Sequence, residues 1–283
     1  MDEKLQKVLA RAGIGSRREM ERWIEQGRVK VNDQVATLGD RVSSNDNIKV
    51  DNKFINQKRT EVQQRVIAYH KPVGEVCTRD DPEGRTTIFS NLPKLKTGRW
   101  ISVGRLDLNT SGLLLLTTDG ELANKLMHPS SEIEREYAVR ILGEVSPEII
   151  KQLKTNVPLD DGDAHFIDVK LTGGEGANHW YNVILKEGRN REVRRLWEYF
   201  GFAVSRLMRV RYANITLDRR LRPSKSEDLN DKEIAALYQS VGLQYTQSID
   251  DSKKKDKSRF KANKTAKQAN RSVYKGKSSN NRR

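Results

Sequence analysis

The sequence predicts an α+β protein, in which a small N-terminal domain precedes a larger domain built on a mixed or antiparallel β-sheet with flanking helices. Two observations lead to this prediction. Runs with the length and composition of strands recur in the larger part, at residues 66–69, 113–116, 137–142 and 181–185. Helical segments alternate with them less regularly than in a doubly wound parallel fold, which favours antiparallel strand pairs.

The first part of the chain has the pattern of two helices followed by short strands. Apolar residues at helical spacing begin at Leu5. Ser16 and Glu19, three positions apart, form a capping box that predicts the start of a second helix. Short apolar runs at residues 29–31 and 48–50 then predict strands.

Changes in composition divide the chain into four parts. We expect a small domain at residues 1–56, a linker at 57–65, the larger domain at 66–246 and a tail at 247–283. The tail consists mainly of Lys, Arg, Ser and Asn, so it cannot bury enough apolar surface to offset its chain entropy. It is therefore predicted to be disordered. Sequence-independent attachment to RNA is its favoured role, and a solubility tail is the alternative.

The charge balance indicates a polyanionic partner. The 283 residues carry a formal net charge of +15, which favours nucleic acid or an acidic membrane surface as the partner. No run of 18 apolar residues is present, and the first residues lack the apolar region of a signal peptide. The one cysteine, Cys77, cannot form an internal disulfide. We therefore expect a soluble, cytoplasmic protein.

Several familiar catalytic signatures are missing from the sequence. It contains no phosphate-binding Walker loop, no G-x-S-x-G elbow and no H-E-x-x-H metal motif. The four histidines do not have the spacing of metal ligands, and His70 and His179 are expected to be scaffold residues. These observations predict no metal and argue against an NTPase, a serine hydrolase and a zinc protease.

The most informative segment is residues 104–117, which read GRLDLNTSGLLLLT. Asp107 follows Arg105 by two positions and precedes four leucines that are predicted to form a buried strand. A carboxylate is rarely buried without a partner, so Asp107 is expected at the edge of the core with a cation nearby. An ordinary turn at the entry to a strand is the alternative interpretation.

Two further segments carry polar or aromatic residues in distinctive positions. Tyr137 begins a predicted strand, where an ordinary strand-face aromatic is the alternative. Residues 187–196 form a turn that leads into a helix, for which Asn190 is the predicted N-cap. Three arginines at positions i, i+3 and i+4 are expected on one face of this helix, with a solvated basic face as the alternative: Arg191, Arg194 and Arg195.

In this order, the three segments resemble the motifs of RNA pseudouridine synthases. Residues 104–117 match the GRLDxxTSGLLLLT signature of that family, and residues 70–74 (HKPVG) resemble its KPxG strand exit. Residues 16–32 resemble the S4 RNA-binding domain, which indicates the RsuA/RluB/RluE/RluF branch. Residues 187–197 are most similar to the RluB type, because the small-subunit enzymes more often carry His-Gln at positions 191–192.

The resemblance implies a role for each site residue. Asp107 would be the catalytic residue, acting as nucleophile or base, and Arg194 its ion-pair partner. Tyr137 would stack under the uracil and help to remove the C5 proton, with stacking the safer role because a phenol is a weak base. No cofactor and no metal would be needed. The predicted substrate- and RNA-binding residues are Arg105, Arg17, Arg18, Arg28, Lys30, Lys71, Arg189, Arg191 and Arg195.

The implied reaction is the isomerisation of a specific uridine in ribosomal RNA. The RluB-like motif favours 23S rRNA, in domain V near the peptidyl-transferase centre, either as free RNA or in a ribosomal subunit precursor; no protein partner is implied. A 16S enzyme of the same family and a non-catalytic S4-containing assembly factor stay open as alternatives, although Asp107 favours an enzyme. A DNA- or membrane-binding basic protein would explain the charge but not the three motifs.

Overall fold

The structure is a computed structural model that describes residues 2–55 and 64–246, without the side chain of Glu175. Most of the predicted linker, residues 57–65, and all of the predicted tail, residues 247–283, lie outside the described residues. Within the described part, contacts join the N-terminal and larger domains into one compact unit.

The N-terminal domain consists of two helices and two small antiparallel sheets. One sheet has the strand order β3-β2-β5-β6, and the other pairs β1 with β4. The predicted capping box begins α2, since the Glu19 N–H donates to Ser16 Oγ at 3.1 Å. The elements are β1 (Glu3–Lys4), α1 (Leu5–Arg11), α2 (Arg17–Glu25), β2 (Val29–Val31), β3 (Gln34–Val35), β4 (Arg41–Val42), β5 (Ile48–Val50) and β6 (Lys53–Ile55).

The larger domain is built around a nine-stranded sheet, and a separate hairpin pairs β11 with β12. Each of the four strands predicted from the sequence is present and longer than expected. The elements are β7 (Val66–Lys71), β8 (Ile101–Ser102), β9 (Ser111–Thr117), α3 (Gly120–Met127), β10 (Arg135–Leu142), α4 (Pro147–Leu153), β11 (Val157–Leu159), β12 (Gly162–Ala164), β13 (Asp168–Glu175), β14 (Asn178–Leu185), α5 (Glu192–Tyr199), β15 (Val204–Tyr212), β16 (Ile215–Thr216), β17 (Ser226–Asp228) and α6 (Asp231–Ser240).

The main sheet is mixed, which is one of the two arrangements that the sequence predicts. Its strand order is β13-β14-β10-β15-β9-β7-β17, with β16 added to β15 and β8 added to β9. The pairing of β9 with β15 is parallel, and the other pairings between its strands are antiparallel. In the parallel pair, Ser111 lies opposite Met208 and Gly112 opposite Arg209. The two halves of the larger domain therefore meet at β9 and β15.

Helices cover both faces of this sheet, which explains why β9 is a continuous run of leucines. Leu114 and Leu116 join the core under α4 and α5, whereas Leu113 and Leu115 join a second core under α3 and α6. A strand buried on both faces needs no polar alternation. Among the described residues, the longest helix has only ten residues, and none has the length and apolar composition needed to cross a membrane.

Candidate active site

An open cavity of about 1630 Å³ lies in the larger domain, beside the start of β9 and the strands β10 and β15. Asp107 and Tyr137, two of the three predicted catalytic residues, line it together. Three of the predicted RNA-binding residues also line it: Arg105, Arg189 and Arg191. Its lining does not include Arg194, Arg195 or Lys71. The structure thus brings the three sequence segments together at one site. It leaves Arg194, a predicted catalytic residue, and Arg195 and Lys71, predicted RNA-binding residues, outside the lining.

Asp107 lies in a turn between β8 and β9, at residues 104–110, which we call the Asp107 loop. The Thr110 N–H donates to the Asp107 carbonyl at 3.0 Å and closes the turn. The Asp107 side chain is exposed, and the loop lines the cavity. A carboxylate in this position is accessible to a ligand and stays solvated until one enters.

Gly112 fixes the end of the Asp107 loop against β15. Its φ is +106°, and a Cβ atom at this position would lie 2.2 Å from the Arg209 carbonyl oxygen. Any other residue would clash with the backbone of β15 and strain its own backbone. The chain therefore passes from the Asp107 loop into β9 at a fixed position beside the cavity.

Lys71 anchors the Asp107 loop from inside the protein. Its side chain is completely buried, and Nζ donates to the carbonyl oxygens of Pro72, Asp107 and Thr110 at 2.9–3.0 Å. Burial lowers the pKa of Lys71 from its ordinary value. The prediction that Lys71 contacts RNA is wrong, because its buried ammonium group donates its three hydrogen bonds to carbonyls of the protein.

Arg194 holds the Asp107 loop through the backbone instead of through the carboxylate. Its guanidinium donates to the Asn109 carbonyl at 3.0 Å and to the Val204 carbonyl at 2.9 Å. No ion pair within 4.0 Å links it to Asp107 or to another acid among the described residues. The predicted Asp107–Arg194 ion pair is thus wrong for this structure, since two carbonyls hold the guanidinium while the carboxylate faces solvent. Burial lowers the pKa of Arg194, and the more distant Asp107 raises it.

The predicted basic face of α5 is also wrong. Arg191 has a φ of 49° and is the N-cap, and its carbonyl accepts the first hydrogen bond of the helix, from the Arg195 N–H at 3.0 Å. Arg191 is exposed and pairs with Glu198 at 3.2 Å, whereas Arg194 points into the protein. Asn190, the predicted N-cap, is not the cap, because the helix starts one residue later at Glu192.

Two other arginines of this segment hold the β11–β12 hairpin. Arg195 makes a two-point ion pair with Asp161, at 2.8 and 3.0 Å. Arg189 donates to the carbonyls of Asp161, Gly162 and Asp163 at 2.8–3.3 Å. The Asp161 carboxylate, 3.5 Å from Arg189 and 2.8 Å from Arg195, partly neutralises both charges, and Arg195 in particular is committed to a structural contact.

Tyr137 and Arg209 lie opposite each other on β10 and β15. Tyr137 is 9% exposed, and its hydroxyl has no hydrogen-bond partner among the described residues. Arg209 is 2% exposed, donates from Nε to the Leu113 carbonyl at 2.7 Å, and leaves one terminal nitrogen, Nη2, buried without a partner. Sequence reasoning missed Arg209, since an arginine in a strand run gives no sign of burial beside a cavity.

Glu192 is a second residue that sequence reasoning did not assign. It lines the cavity at the start of α5 and is 3% exposed. Its Oε2 accepts the Arg189 N–H at 3.0 Å, while Oε1 is buried without a partner among the described residues. Burial raises the pKa of Glu192 to about 7. The only sign in the sequence that Glu192 belongs to the site is its position within the 187–197 motif.

The four basic residues predicted to bind RNA in the N-terminal domain differ in availability. Arg17 and Arg18 are exposed. Arg28 lies over the Trp23 ring at 3.8 Å and makes a two-point contact with Asp51. Lys30 donates to the Asn52 side chain at 3.3 Å. Among the described residues, no three His, Cys, Asp or Glu side chains are grouped as a metal site.

Comparison with known proteins places this chain in a family. The model of the RNA pseudouridylate synthase family matches residues 65–199, and that of the S4 domain matches residues 3–48. Ribosomal large subunit pseudouridine synthase B of Salmonella typhi is 56% identical over 266 residues, which cover 93% of this chain and 91% of that protein. The chain belongs to the RNA pseudouridylate synthase family. The resemblance inferred from the three motifs is confirmed.

Other pseudouridine synthases give the same result. The enzyme of the same name from Pseudomonas aeruginosa is 59% identical over 243 residues, which cover 85% of this chain but only 63% of that protein. A solved structure described as a pseudouridylate synthase superposes with a TM-score of 0.58 at 26% identity, covering 83% of this chain and 99% of the other. The α+β architecture is therefore that of a pseudouridine synthase that follows an S4 domain.

Proposed function

We propose that this pseudouridine synthase isomerises a uridine of large-subunit ribosomal RNA, 23S rRNA, with Asp107 as the catalytic carboxylate. The observation that carries the proposal is the exposed Asp107 side chain on a loop whose backbone is held by Lys71 and Arg194. The names of the relatives support the large subunit as the source of the RNA. Since ribosomal RNA is the substrate, we also propose a cytoplasmic location.

The reaction requires one carboxylate and no net oxidation or reduction. The bond between C1′ of the ribose and N1 of the uracil breaks, and a bond between C1′ and C5 forms. C5 loses a proton, and N1 gains one. Asp107 serves this sequence either as a nucleophile at C1′ or as a base at the ribose. Its exposure on the cavity side leaves both carboxylate oxygens available to the sugar.

The cavity accepts a base that has left its RNA helix. A uridine cannot react while it is stacked, so the enzyme extrudes it or takes it from a loop. The ring of Tyr137 supplies a stacking surface, and Leu207 supplies an apolar contact beside it. Arg105, which is exposed and has no hydrogen-bond partner among the described residues, contacts a phosphate next to the target.

The alternatives are less well supported. A non-catalytic assembly factor would not need an exposed aspartate fixed at the edge of a cavity. A 16S enzyme of the same family is consistent with the cavity, but the relatives above carry the name of the large subunit. Whether free RNA or a subunit precursor is the substrate is a property of the assembly pathway, and both are compatible with an exposed cavity.

Mapping of pseudouridines in ribosomal RNA tests the proposal. A strain that lacks this gene should lack a pseudouridine in 23S rRNA, and the wild-type gene should restore it. Asp107→Asn should fail to restore it while RNA affinity stays within a few-fold, because the carboxylate performs chemistry and repels phosphates. Asp80→Asn changes a nearby exposed aspartate outside the cavity lining and serves as the matched control.

Two outcomes would overturn the proposal. If the missing pseudouridine lies in 16S rRNA, the assignment of the large subunit is wrong. If Asp107→Asn restores the modification as well as Asp80→Asn does, the catalytic assignment is wrong.

A further inference from the structure

Arginines from three separate segments lie where the N-terminal domain packs on the larger domain. Arg17 is in the first turn of α2, Arg79 follows β7, and Arg99 precedes β8. Arg79 and Arg17 both lower the pKa of Arg99, after the larger effect of burial. Arg99 therefore lies close enough to both Arg79 and Arg17 for like charges to repel. We call these three arginines the seam cluster.

The packing at this seam is tight. A Cβ atom at Gly13, in the turn between α1 and α2, would lie 2.8 Å from the Gly98 carbonyl oxygen. The Arg17 Nη2 atom lies 3.9 Å from the position that a Cβ atom of Gly120 would take. The N-terminal domain thus brings Arg17 against the larger domain at the position where Arg99 follows Gly98.

Negative charge at the seam does not balance the cluster. Glu19 is the carboxylate that raises the pKa of both Arg79 and Arg99. Its Oε2 atom is already used, since it accepts the Ser16 N–H at 3.1 Å in the capping box of α2. Among the described residues, neither Arg17 nor Arg99 has an ion pair within 4.0 Å.

Part of the hydrogen-bonding capacity of the cluster is also unused. Arg99 Nε is buried and has no hydrogen-bond partner among the described residues. Arg79 lies over the Phe89 ring at 4.2 Å and donates to the Trp100 carbonyl, which orients its guanidinium. A buried cationic donor without a partner is costly, so its persistence next to like charges indicates an anion that binds there.

We propose that the seam cluster binds a backbone phosphate of the RNA and so joins the S4 domain and the catalytic domain on one nucleic acid. Guanidinium groups match the geometry of a phosphate better than ammonium groups do. The cavity lining includes none of the three arginines, so this contact is separate from the target base. It positions the RNA without reading sequence. The proposal rests on the proposed function only in taking RNA as the partner.

A double-mutant cycle on RNA affinity tests this inference. The probe is a synthetic RNA stem-loop of arbitrary sequence without uridine in its loop, so that turnover plays no part. Arg17→Gln and Arg99→Gln should each weaken binding about 10-fold at low salt and flatten the dependence of log affinity on log salt by about 0.7–0.9. Combined, they should weaken binding hardly more than either one does, because both act on one phosphate.

Arg18 provides the matched control cycle. It is exposed, has no hydrogen bond or ion pair with the described residues, and follows Arg17 on the same helix. The effects of Arg18→Gln and Arg99→Gln should multiply, since the two side chains do not share a phosphate. If the effects of Arg17→Gln and Arg99→Gln multiply as well, or if Arg99→Gln leaves affinity unchanged, the seam cluster is not a shared phosphate site.

Two further measurements keep the result unambiguous. Tm values report folding, and Arg99→Lys replaces Arg99→Gln in the cycle if the glutamine variant unfolds; it should weaken binding less because the charge is kept. A single methylphosphonate in the stem-loop should lower the affinity of the wild type but not of the Arg17→Gln/Arg99→Gln variant. Turnover is assayed separately, so loss of the proposed activity and loss of the seam site are distinguishable.

Discussion

The Lys71 ammonium group donates a 3.0 Å hydrogen bond to the backbone carbonyl of Asp107, so a residue with no solvent exposure fixes the residue with the exposed carboxylate. Arg194 adds a second restraint through the Asn109 carbonyl. Two buried cations therefore orient the loop through its backbone and leave the carboxylate oxygens free for the substrate.

Lys71→Met should lower both stability and turnover. Three carbonyl oxygens, of which that of Thr110 is buried, would lose their donor, so the free energy of unfolding should fall by about 3 kcal/mol, measured by urea denaturation. The rate constant kcat should fall with it, because the Asp107 loop is no longer fixed. Lys154→Met, which breaks the exposed pair with Asp168 outside the cavity lining, should change stability by less than about 0.5 kcal/mol. Equal effects of the two variants would refute the anchoring role.

Arg194→Ala should reduce kcat about 100-fold while changing KM little, because a small displacement of the Asp107 loop misaligns the carboxylate. Arg195→Ala removes the neighbouring pair with Asp161 and should stay within a few-fold of the wild type. The pH profile separates the two roles of Arg194. A positioning residue leaves the acidic limb of kcat/KM in place, whereas a direct ion-pair partner moves that limb to higher pH when it is removed.

Tyr137→Phe should keep most of the turnover, and Tyr137→Ala should lose about 10- to 100-fold, since loss of a stacking ring costs about 1–3 kcal/mol per base. The Tyr137 hydroxyl has no partner among the described residues, which favours the ring as the functional part. Single-turnover kinetics with each variant measure this, and the exposed Tyr199→Phe is the control. Equal and severe losses in the Phe and Ala variants would instead assign chemistry to the hydroxyl.

Glu192→Gln should remove a pH dependence of stability. Burial raises the pKa of Glu192 from 4.5 to about 7, so between these pH values the folded state binds more protons than the unfolded state. Wild-type stability should thus fall as pH rises from about 4.5 to about 7, by at most about 3 kcal/mol. Urea denaturation at pH 5 and pH 8 measures this.

The glutamine variant keeps an acceptor for the Arg189 N–H and should be more stable than the wild type at pH 8. Glu144→Gln, at an exposed position, should leave the wild-type pH dependence unchanged. A wild-type protein whose stability does not fall across this pH range would show that Glu192 is ionised at ordinary cost.

Local patterns in the sequence predict the scaffold well. The capping box at Ser16 is present as expected, because it depends on two residues only three positions apart. The predicted strands are present because their apolar residues are buried in the two cores of the larger domain. The family motifs indicated Asp107 and Tyr137 as site residues, and both line one cavity in the structure.

Partners of long basic side chains were not predictable in the same way. Lys71 and Asp107 are separated by 36 positions, and Arg195 and Asp161 by 34. The sequence shows where each basic residue is, but not which distant residue its side chain contacts in the folded protein. The burial of Arg194, whose guanidinium donates to two backbone carbonyls, further removed that residue from the predicted basic face. Most corrections to the site therefore concern arginine and lysine.

The parallel pairing of β9 with β15 also affects how the enzyme is made. It joins positions about 100 residues apart, and such non-local pairing folds slowly. At a synthesis rate of about 5–20 residues per second, Asp107 is made roughly 5–20 seconds before the strand that completes its surroundings. During that interval the leucines of β9 lack one neighbouring strand, and until residue 194 is made Arg194 cannot hold the loop. Nascent chains that end before Val204 thus carry the Asp107 loop without the strand that lies beside it, and they leave one edge of β9 unpaired.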